Sequence, residues 1–290
     1  MGIIPHGSAG GARCADRQRK HGKNLAGADR NEHSFLTMML KDRLPAQGNW
    51  LFRWRSYLPL MLLPLAIVAV SESGYFEQRI GEPLDEAWEV SCLFVSFTGL
   101  LLRALTVGFV PSGTSGRNTK KQRAETLNTT GLYATVRNPL YLGNYLVLLG
   151  VVLAIKVWWF VLLACLVLAL YYERIICAEE TFLQQKFSKA YADWAARTPV
   201  FIPKPWRWRR PELPFSLRTV LRREYNGLLF IVVAFPLIEV VDDVLLQAKP
   251  FAIWLREDLH WPVFFGVGAA IFLLLRTLKK HTRFLRVPGR

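Results

Sequence analysis

The sequence predicts an all-α fold, a polytopic transmembrane helical bundle of about six spans. Of its 290 residues 52% are hydrophobic, and they gather in long blocks separated by charged stretches, unlike the apolar residues of a soluble core. Phe, Trp and Tyr make up 13% of the chain, a share too high for a mostly disordered protein. The four cysteines show neither a disulfide framework nor a metal-ligand spacing. The composition therefore predicts a membrane protein with no metal site.

Six apolar segments are the candidate spans. In chain order they are 57–70, 88–110, 139–155, 157–172, 227–241 and 261–275. Several are shorter than the about 20 residues that cross a bilayer, so flanking residues or an adapted bilayer must make up the length. The run 139–172 would be about 51 Å long as a single helix. We therefore interpret it as a helical hairpin that turns near Lys156.

The charge distribution supports this hairpin. With both termini in the cytoplasm, 32 of the 37 Lys and Arg residues fall in cytoplasmic segments, as the positive-inside preference of membrane proteins requires. A single span over 139–172 would move the basic stretch 204–223 to the outer side. Basic residues beside Trp206 and Trp208 are typical of a membrane interface. The net charge of +15 therefore predicts contact with the bilayer and not with nucleic acid.

The chain is expected to divide into four regions. They are a basic, disordered tail at 1–50, two N-terminal spans at 51–110, a core with the hairpin and its flanking motifs at 111–205, and an interfacial connector with two C-terminal spans at 206–290. Arg103 lies within the second span, where a charge is costly unless it faces the bundle, and its expected partner is a lipid headgroup or a buried carbonyl. Ser216 is expected to start a short amphipathic helix before the fifth span.

Polar residues cluster where the predicted hairpin enters and leaves the membrane. Arg137 and Asn138 precede the entry at Pro139, and Glu179 and Glu180 follow the exit. A two-span hairpin returns both of its ends to one membrane face. These residues are therefore expected to meet in a cytoplasmic-side pocket.

Each motif also has a purely structural explanation. Asn138 followed by Pro139 is a good pair of residues for the start of a helix. Glu180 is equally compatible with a solvated helix face, on which it would pair weakly with Lys186 or Lys189. Residue spacing alone leaves both explanations open.

The stretch 131–203 resembles the isoprenylcysteine carboxyl methyltransferase and phospholipid methyltransferase superfamily. The residues that match its two-part pattern in order are Gly131, Tyr133, Arg137, Pro139, Tyr141, Gly143, Glu179, Glu180, Leu183, Phe187, Tyr191, Ile202 and Pro203. Two positions depart from the pattern. Asn138 replaces a histidine, and Ser188 replaces a glycine in what we expect to be a minor change.

The resemblance implies an integral-membrane enzyme that uses S-adenosylmethionine, with both motifs lining the cofactor pocket. The cofactor-binding candidates it implies are Arg137, Asn138, Tyr141, Gly143, Glu179 and Glu180. Arg174 and Arg197 are the candidate catalytic residues that orient an anionic acceptor. Glu179 is also a candidate base, which an amine acceptor would need.

The predicted function is methyl transfer to a lipid or lipid-anchored acceptor, with the bilayer as the other partner. The sequence places no histidine near the site, which favours a carboxylate or phosphate acceptor, since neither needs a general base. Two alternatives remain open. One is a nicotinamide-dependent reductase of sterols or other isoprenoids, and the other is a non-catalytic lipid-binding membrane protein.

Overall fold

A computed structural model describes residues 45, 47–54, 57–111, 113 and 124–290 of the chain. Within these residues the regular structure is helical, with one isolated β-bridge between Gly131 and Arg209. The predicted all-α class is confirmed. Most of the predicted tail at 1–50 lies outside the described residues.

Ten α-helices are described, with short 3-10 or π-helical pieces between some of them. In order they are α1 (Gln47–Trp54), a 3-10 helix (Leu58–Leu62), α2 (Leu63–Val70), α3 (Gly74–Ile80), α4 (Glu82–Phe109), α5 (Leu132–Thr135), α6 (Pro139–Leu153), α7 (Trp158–Ala195), a 3-10 helix (Pro205–Arg207), α8 (Leu217–Glu239), a π-helix (Val240–Leu246), α9 (Phe251–Glu257) and α10 (His260–His281).

Three of the described helices are long and apolar enough to cross a membrane, namely α4, α7 and α10. A fourth candidate is the pair formed by α1 and the 58–70 segment, which meet at an angle of 85°. Helix α6 is apolar but has only 15 residues, or about 22 Å, less than the about 30 Å of a hydrocarbon core. The protein is an integral membrane protein by these helices, and the six-span arrangement stays a prediction.

The hairpin turn lies where the sequence places it. Helix α6 ends at Leu153 and α7 begins at Trp158, and between them Lys156 adopts a left-handed backbone with φ of +64°. The Lys156 ammonium donates to Asp85 Oδ2 and to Glu89 Oε1, at 2.6 Å each. Both carboxylates belong to α4, so these two ion pairs connect the hairpin turn to α4.

Small residues let α4 and α6 approach each other closely. A Cβ on Gly99 would lie 2.5 Å from the Gly143 carbonyl oxygen, and one on Gly150 would lie 2.2 Å from Ser96 Oγ. Ser96 Oγ donates to the Val147 carbonyl at 2.9 Å. Gly143 and Gly150, seven residues apart on α6, therefore both face α4.

Replacing Gly99 by Ala is expected to destabilise the protein by about 1–3 kcal/mol, because the new methyl group meets rigid backbone. The matched control is Gly266→Ala in α10, where a Cβ meets no atom within 4 Å. That change is expected to be neutral or to stabilise by up to about 1 kcal/mol through helix propensity. Unfolding by denaturing detergent measures both, and equal effects at the two positions would contradict the close packing.

Arg103 faces the bundle, as the sequence predicts. Its guanidinium donates to both carboxylate oxygens of Glu224, with Nε–Oε2 at 2.7 Å and Nη2–Oε1 at 3.0 Å. It also donates to Asn144 Oδ1. The three side chains belong to α4, α8 and α6, so one polar network joins these helices.

Helix α7 carries the exit motif beyond the apolar half of the helix. It has 38 residues, which is about 57 Å, and its only non-helical residue is Ser188, with φ of +43° and ψ of −110°. This conformation strongly favours glycine, because a Cβ is strained there. The expectation that Ser in place of the family's glycine is a minor change is therefore wrong for the backbone at this kink.

Replacing Ser188 by Gly is expected to raise the free energy of unfolding by about 1 kcal/mol, as relief of backbone strain exceeds the entropy that glycine adds to the unfolded chain. Ser188→Ala is the matched control, since alanine removes the hydroxyl and keeps the strain. Thermal unfolding in detergent measures both. A gain with alanine equal to the gain with glycine would show that the side chain, and not φ, is responsible.

The amphipathic segment after the connector and the fifth predicted span form one helix. The Ser216 side chain accepts from the Thr219 amide at 3.3 Å and caps α8, which then continues without interruption to Glu239. The predicted start at Ser216 is thus correct. The amphipathic segment and the fifth span were expected to be separate helices, but they are one continuous helix, and Gly227 and Pro236 lie within it without ending it.

Candidate functional site

The two ends of the hairpin meet through five side chains. Arg137 Nη1 donates to Glu180 Oε2 at 2.9 Å, and Asn138 Nδ2 donates to Glu180 Oε1 at 3.3 Å. One turn further into α6, the Tyr141 hydroxyl donates to Glu179 Oε2 at 2.6 Å. The entry and exit motifs therefore form one polar cluster at the open end of the hairpin.

The side chain of Asn138 does not make the contacts expected of a helix cap. It occupies the N-cap position of α6 and is 8% exposed, but its side chain makes no capping hydrogen bond. Its amide instead donates to Glu180 and, at 3.2 Å, to the Val200 carbonyl. Pro139 supplies the fixed φ that starts the helix. The side chain of Asn138 is thus committed to the cluster and not to the helix end.

The connector after α7 folds back over the entry motif. Arg137 Nε donates to the Thr198 carbonyl at 2.8 Å, and the backbone amide of Arg137 donates to the Pro199 carbonyl at 2.8 Å. The Lys204 amide donates to the Thr135 carbonyl at 2.9 Å. These bonds hold the guanidinium in one orientation, with Nη1 directed at Glu180.

Two tyrosines that the sequence analysis matched but assigned no role belong to this cluster. The Tyr191 hydroxyl is buried close to Arg137 and Glu180, and its geometry with the described residues falls short of a well-formed hydrogen bond. Burial, and then the charge of Glu179, raise the pKa of the Tyr133 phenol, so it stays protonated at neutral pH. Both residues belong to the family pattern, and that pattern was the signal for a role.

Aromatic rings form the apolar wall next to the carboxylates. The Tyr141 ring lies 5.8 Å from that of Tyr172, and the Tyr145 ring lies 5.6 Å from that of Phe201 in the connector, both measured between centroids. Tyr141 and Tyr172 belong to one buried cluster that also contains Tyr171. The Tyr141 ring connects this wall to the carboxylates, because its hydroxyl contacts Glu179.

A cavity of about 320 Å³ lies on the other side of the connector. Three Trp and three Arg residues dominate its lining, which consists of Thr129, Ala134, Trp194, Arg197, Thr198, Trp206, Arg207, Trp208 and Arg209. Thr198 joins this cavity to the cluster, because its carbonyl accepts from Arg137. A planar group stacks on Trp and an anion pairs with Arg, so the cavity suits a ligand that has both.

The remaining predicted site residues lie apart from the cluster. Gly143 faces α4, where a Cβ would lie 2.5 Å from Arg103 Cγ. Arg197 lines the Trp and Arg cavity, and Arg174 borders a second, apolar cavity. The structure therefore brings together the predicted residues of the two motifs except Gly143. The roles of Gly143, Arg174 and Arg197 stay predictions.

The described residues contain no group of three or more His, Cys, Asp or Glu side chains placed to hold a metal ion. The two carboxylates of the cluster face an arginine, an amide and a tyrosine hydroxyl instead. Their surroundings suit organic cationic and anionic groups.

These features define an all-helical membrane protein with a charged and aromatic cluster at the open end of a helical hairpin. Residues 97–190 match the family model described as phospholipid methyltransferase. The resemblance seen in 131–203 is thereby confirmed: this part of the chain is similar to the membrane methyltransferases of that family.

Two curated relatives carry names that concern metal resistance. The chain is 34% identical over 122 residues to the cobalt-zinc-cadmium resistance protein CzcN of Cupriavidus metallidurans, which covers 41% of this chain and 53% of that protein. It is 28% identical over 121 residues to the nickel-cobalt-cadmium resistance protein NccN of Alcaligenes xylosoxydans, with coverages of 41% and 54%. The chain thus spans about half the length of the curated relatives it matches. No solved structure matches it.

Proposed function

We propose that the protein is an S-adenosylmethionine-dependent methyltransferase that acts on a lipid or lipid-anchored acceptor in the membrane. The observation that carries the proposal is the bridge from Arg137 and Asn138 to Glu180 at the open end of the hairpin. It joins the two halves of the family pattern, which are more than 40 residues apart in the chain. The family match of 97–190 supports methyl transfer as the reaction class.

The residues present fit S-adenosylmethionine. Its ammonium group suits the carboxylates of Glu179 and Glu180, and its carboxylate suits the arginines around the connector. The buried Tyr191 hydroxyl makes no well-formed hydrogen bond to the described residues, so it offers one to a bound polar group. The Trp and Arg cavity next to Thr198 suits a planar base.

The chain's own residues would act mainly by positioning and by excluding water. When bound, the cofactor supplies a methyl group whose bond to sulfur breaks as the acceptor oxygen or nitrogen bonds to the carbon. The aromatic wall of Tyr141 and Tyr172 keeps water from this region and lets ring faces stabilise positive charge. Alignment of the two reactants contributes about 7–11 kcal/mol in favourable cases.

Glu179 and Tyr141 define how a proton would be handled. A carboxylate or phosphate acceptor reacts without losing a proton. An amine acceptor must lose a proton. Glu179, which accepts from the Tyr141 hydroxyl at 2.6 Å, is the candidate base for this step. The arrangement therefore serves both acceptor classes, and the absence of a histidine at position 138 favours the oxyanions.

The test uses the full chain reconstituted in nanodiscs of mixed phospholipids. Calorimetric titration with S-adenosylmethionine is expected to show one saturable site, and the labelled methyl group is expected to appear in the extracted lipid. A parallel titration with NADPH is expected to show no binding.

Each alternative predicts a different outcome. Saturable NADPH binding without S-adenosylmethionine binding would reject the proposal in favour of a reductase. A well-folded protein that binds neither nucleotide and labels no lipid across varied lipid mixtures would reject it in favour of a non-catalytic protein. Mass spectrometry of the labelled lipid then identifies the acceptor.

A further inference from the structure

A second cavity lies between the N-terminal helices and the apolar half of α7. Its volume is about 710 Å³, within the range of about 300–1,000 Å³ that is usual for small-molecule sites. The lining residues are Gln47, Trp50, Leu51, Leu58, Pro59, Met61, Leu62, Val167, Leu168, Leu170, Tyr171 and Arg174. All but the two residues at the polar end are apolar or aromatic, so the cavity suits a hydrocarbon chain.

The polar residues of this cavity lie at one end of it. Arg174 is the first cation after the apolar run of α7, and Gln47 stands at the start of α1. Arg174 pairs with Glu173 at 3.3 Å, but its side chain is 31% exposed and that of Glu173 is 62% exposed. An exposed pair of neighbours on one helix is weak. A negatively charged group arriving at the cavity therefore finds a guanidinium that has no strong competing partner among the described residues.

One wall of the cavity is held by close backbone contact. A Cβ on Gly48 of α1 would lie 2.1 Å from the Arg174 carbonyl oxygen and 2.7 Å from Ala178 Cβ. Only glycine allows α1 to lie this close to α7. The contact holds the neighbouring Gln47 and Trp50 in place beside α7, so the polar end of the cavity has a defined geometry.

The floor of the cavity continues into the wall of the candidate site. Leu168 and Tyr171 belong to the same buried cluster as Tyr141, which donates to Glu179. Along α7, Glu179 follows Arg174 by five residues, a rise of about 7.5 Å. A chain in the cavity with its head at Arg174 would therefore place that head near the carboxylates of the site.

The geometry points to this cavity as the binding site for the hydrocarbon chain of the acceptor, whose anionic carboxylate or phosphate pairs with Arg174. This inference rests on the proposed function for its catalytic meaning. The occupant is a lipid with a single chain in the cavity, its tail beside Val167 and Met61 and its head at the end of the apolar part of α7.

The binding test uses three diazirine-labelled probes of equal chain length, namely a fatty acid, a monoalkyl phosphate and a fatty alcohol, with the full chain in detergent micelles. Photolysis followed by peptide mapping is expected to place cross-links of the two anionic probes on the cavity segments 47–62 and 167–174. Arg174→Gln is expected to reduce cross-linking of the anionic probes about tenfold, and to leave the alcohol unchanged. Arg174→Lys, which keeps the charge, is expected to retain most of the cross-linking of the anionic probes.

A bulky substitution blocks the cavity while leaving the buried core intact. Leu170→Trp is expected to reduce cross-linking of all three probes, whereas Leu166→Trp, an exposed position of α7 that does not line the cavity, is the matched control. Cross-links spread evenly over exposed α10 residues such as Val267 and Leu273 would overturn the inference. A loss of cross-linking with Leu166→Trp equal to that with Leu170→Trp would overturn it as well.

Nucleotide binding separates failure of this inference from failure of the proposed function. Leu170→Trp is expected to keep the affinity for S-adenosylmethionine and to lose methyl transfer to lipid. A protein that binds no S-adenosylmethionine but cross-links the anionic probes in the cavity would refute the proposed function and retain the lipid site. A blocked cavity with unchanged methyl transfer to long-chain lipids would refute the lipid site and retain the function.

Discussion

Glu180→Gln is expected to weaken S-adenosylmethionine binding about 10- to 150-fold and to reduce methyl transfer by at least as much. The change keeps the size of the side chain but removes the charge that Arg137 and Asn138 both contact. Hydrogen bonds to charged groups contribute about 1.5–3 kcal/mol, which corresponds to that range of affinity. The amide nitrogen of glutamine would also face the Arg137 guanidinium as a second donor, so the remaining bond is weakened too. Titration calorimetry and label transfer into lipid measure the two effects.

Asp193→Asn is the matched control, since it neutralises an exposed carboxylate on the same helix, 13 residues beyond Glu180. It is expected to leave both binding and transfer unchanged. Thermal unfolding must accompany the assay, because the loss of Glu180 also leaves Arg137 with fewer partners. A stable Glu180→Gln protein with normal cofactor affinity would show that the cluster is a structural clasp of the hairpin and not a binding site.

The sequence was informative about the site because its chemistry is carried by a two-part pattern. Arg137, Asn138, Glu179 and Glu180 were predicted to meet. The turn at Lys156 brings Glu180 to hydrogen-bonding distance of Arg137 and Asn138, while Glu179 accepts from Tyr141 of the same motif. The pattern does not predict the backbone carbonyls that accept hydrogen bonds from Arg137 and Asn138. The carbonyls of Thr198 and Val200 are acceptors regardless of residue type, so no sequence signal marks them.

Fold prediction was most complete where a segment is long and apolar, and less complete where packing against neighbouring helices decides the structure. Helix α6 has 15 residues, and its apolar run alone does not reveal that glycines press it against α4. Helix α8 keeps Gly227 and Pro236 in its interior, although local preference disfavours both residues there. Contacts with neighbouring helices, which a single sequence does not display, decide these cases.

Arg103→Met is expected to destabilise the protein by about 3–5 kcal/mol, the cost of leaving one charge of a buried pair without its partner. The Glu224 side chain is only 7% exposed and Arg103 19%, and the two form a bidentate pair between α4 and α8. Glu224→Leu alone is expected to cost as much. Because the pair also carries a large desolvation penalty, the double variant Arg103→Met with Glu224→Leu is expected to recover most of the loss.

A double-mutant cycle distinguishes a true pair from two independent side chains. Strong coupling appears as a double variant that is more stable than the sum of the single effects allows, by about 0.5–3 kcal/mol. Arg276→Met, at an exposed position of α10, is the matched control for loss of an arginine from a membrane helix and is expected to change stability by less than about 0.5 kcal/mol. Additive single effects would mean that Arg103 is satisfied by Asn144 or by lipid instead. The ion pair would then not contribute to the connection between α8 and the helices α4 and α6.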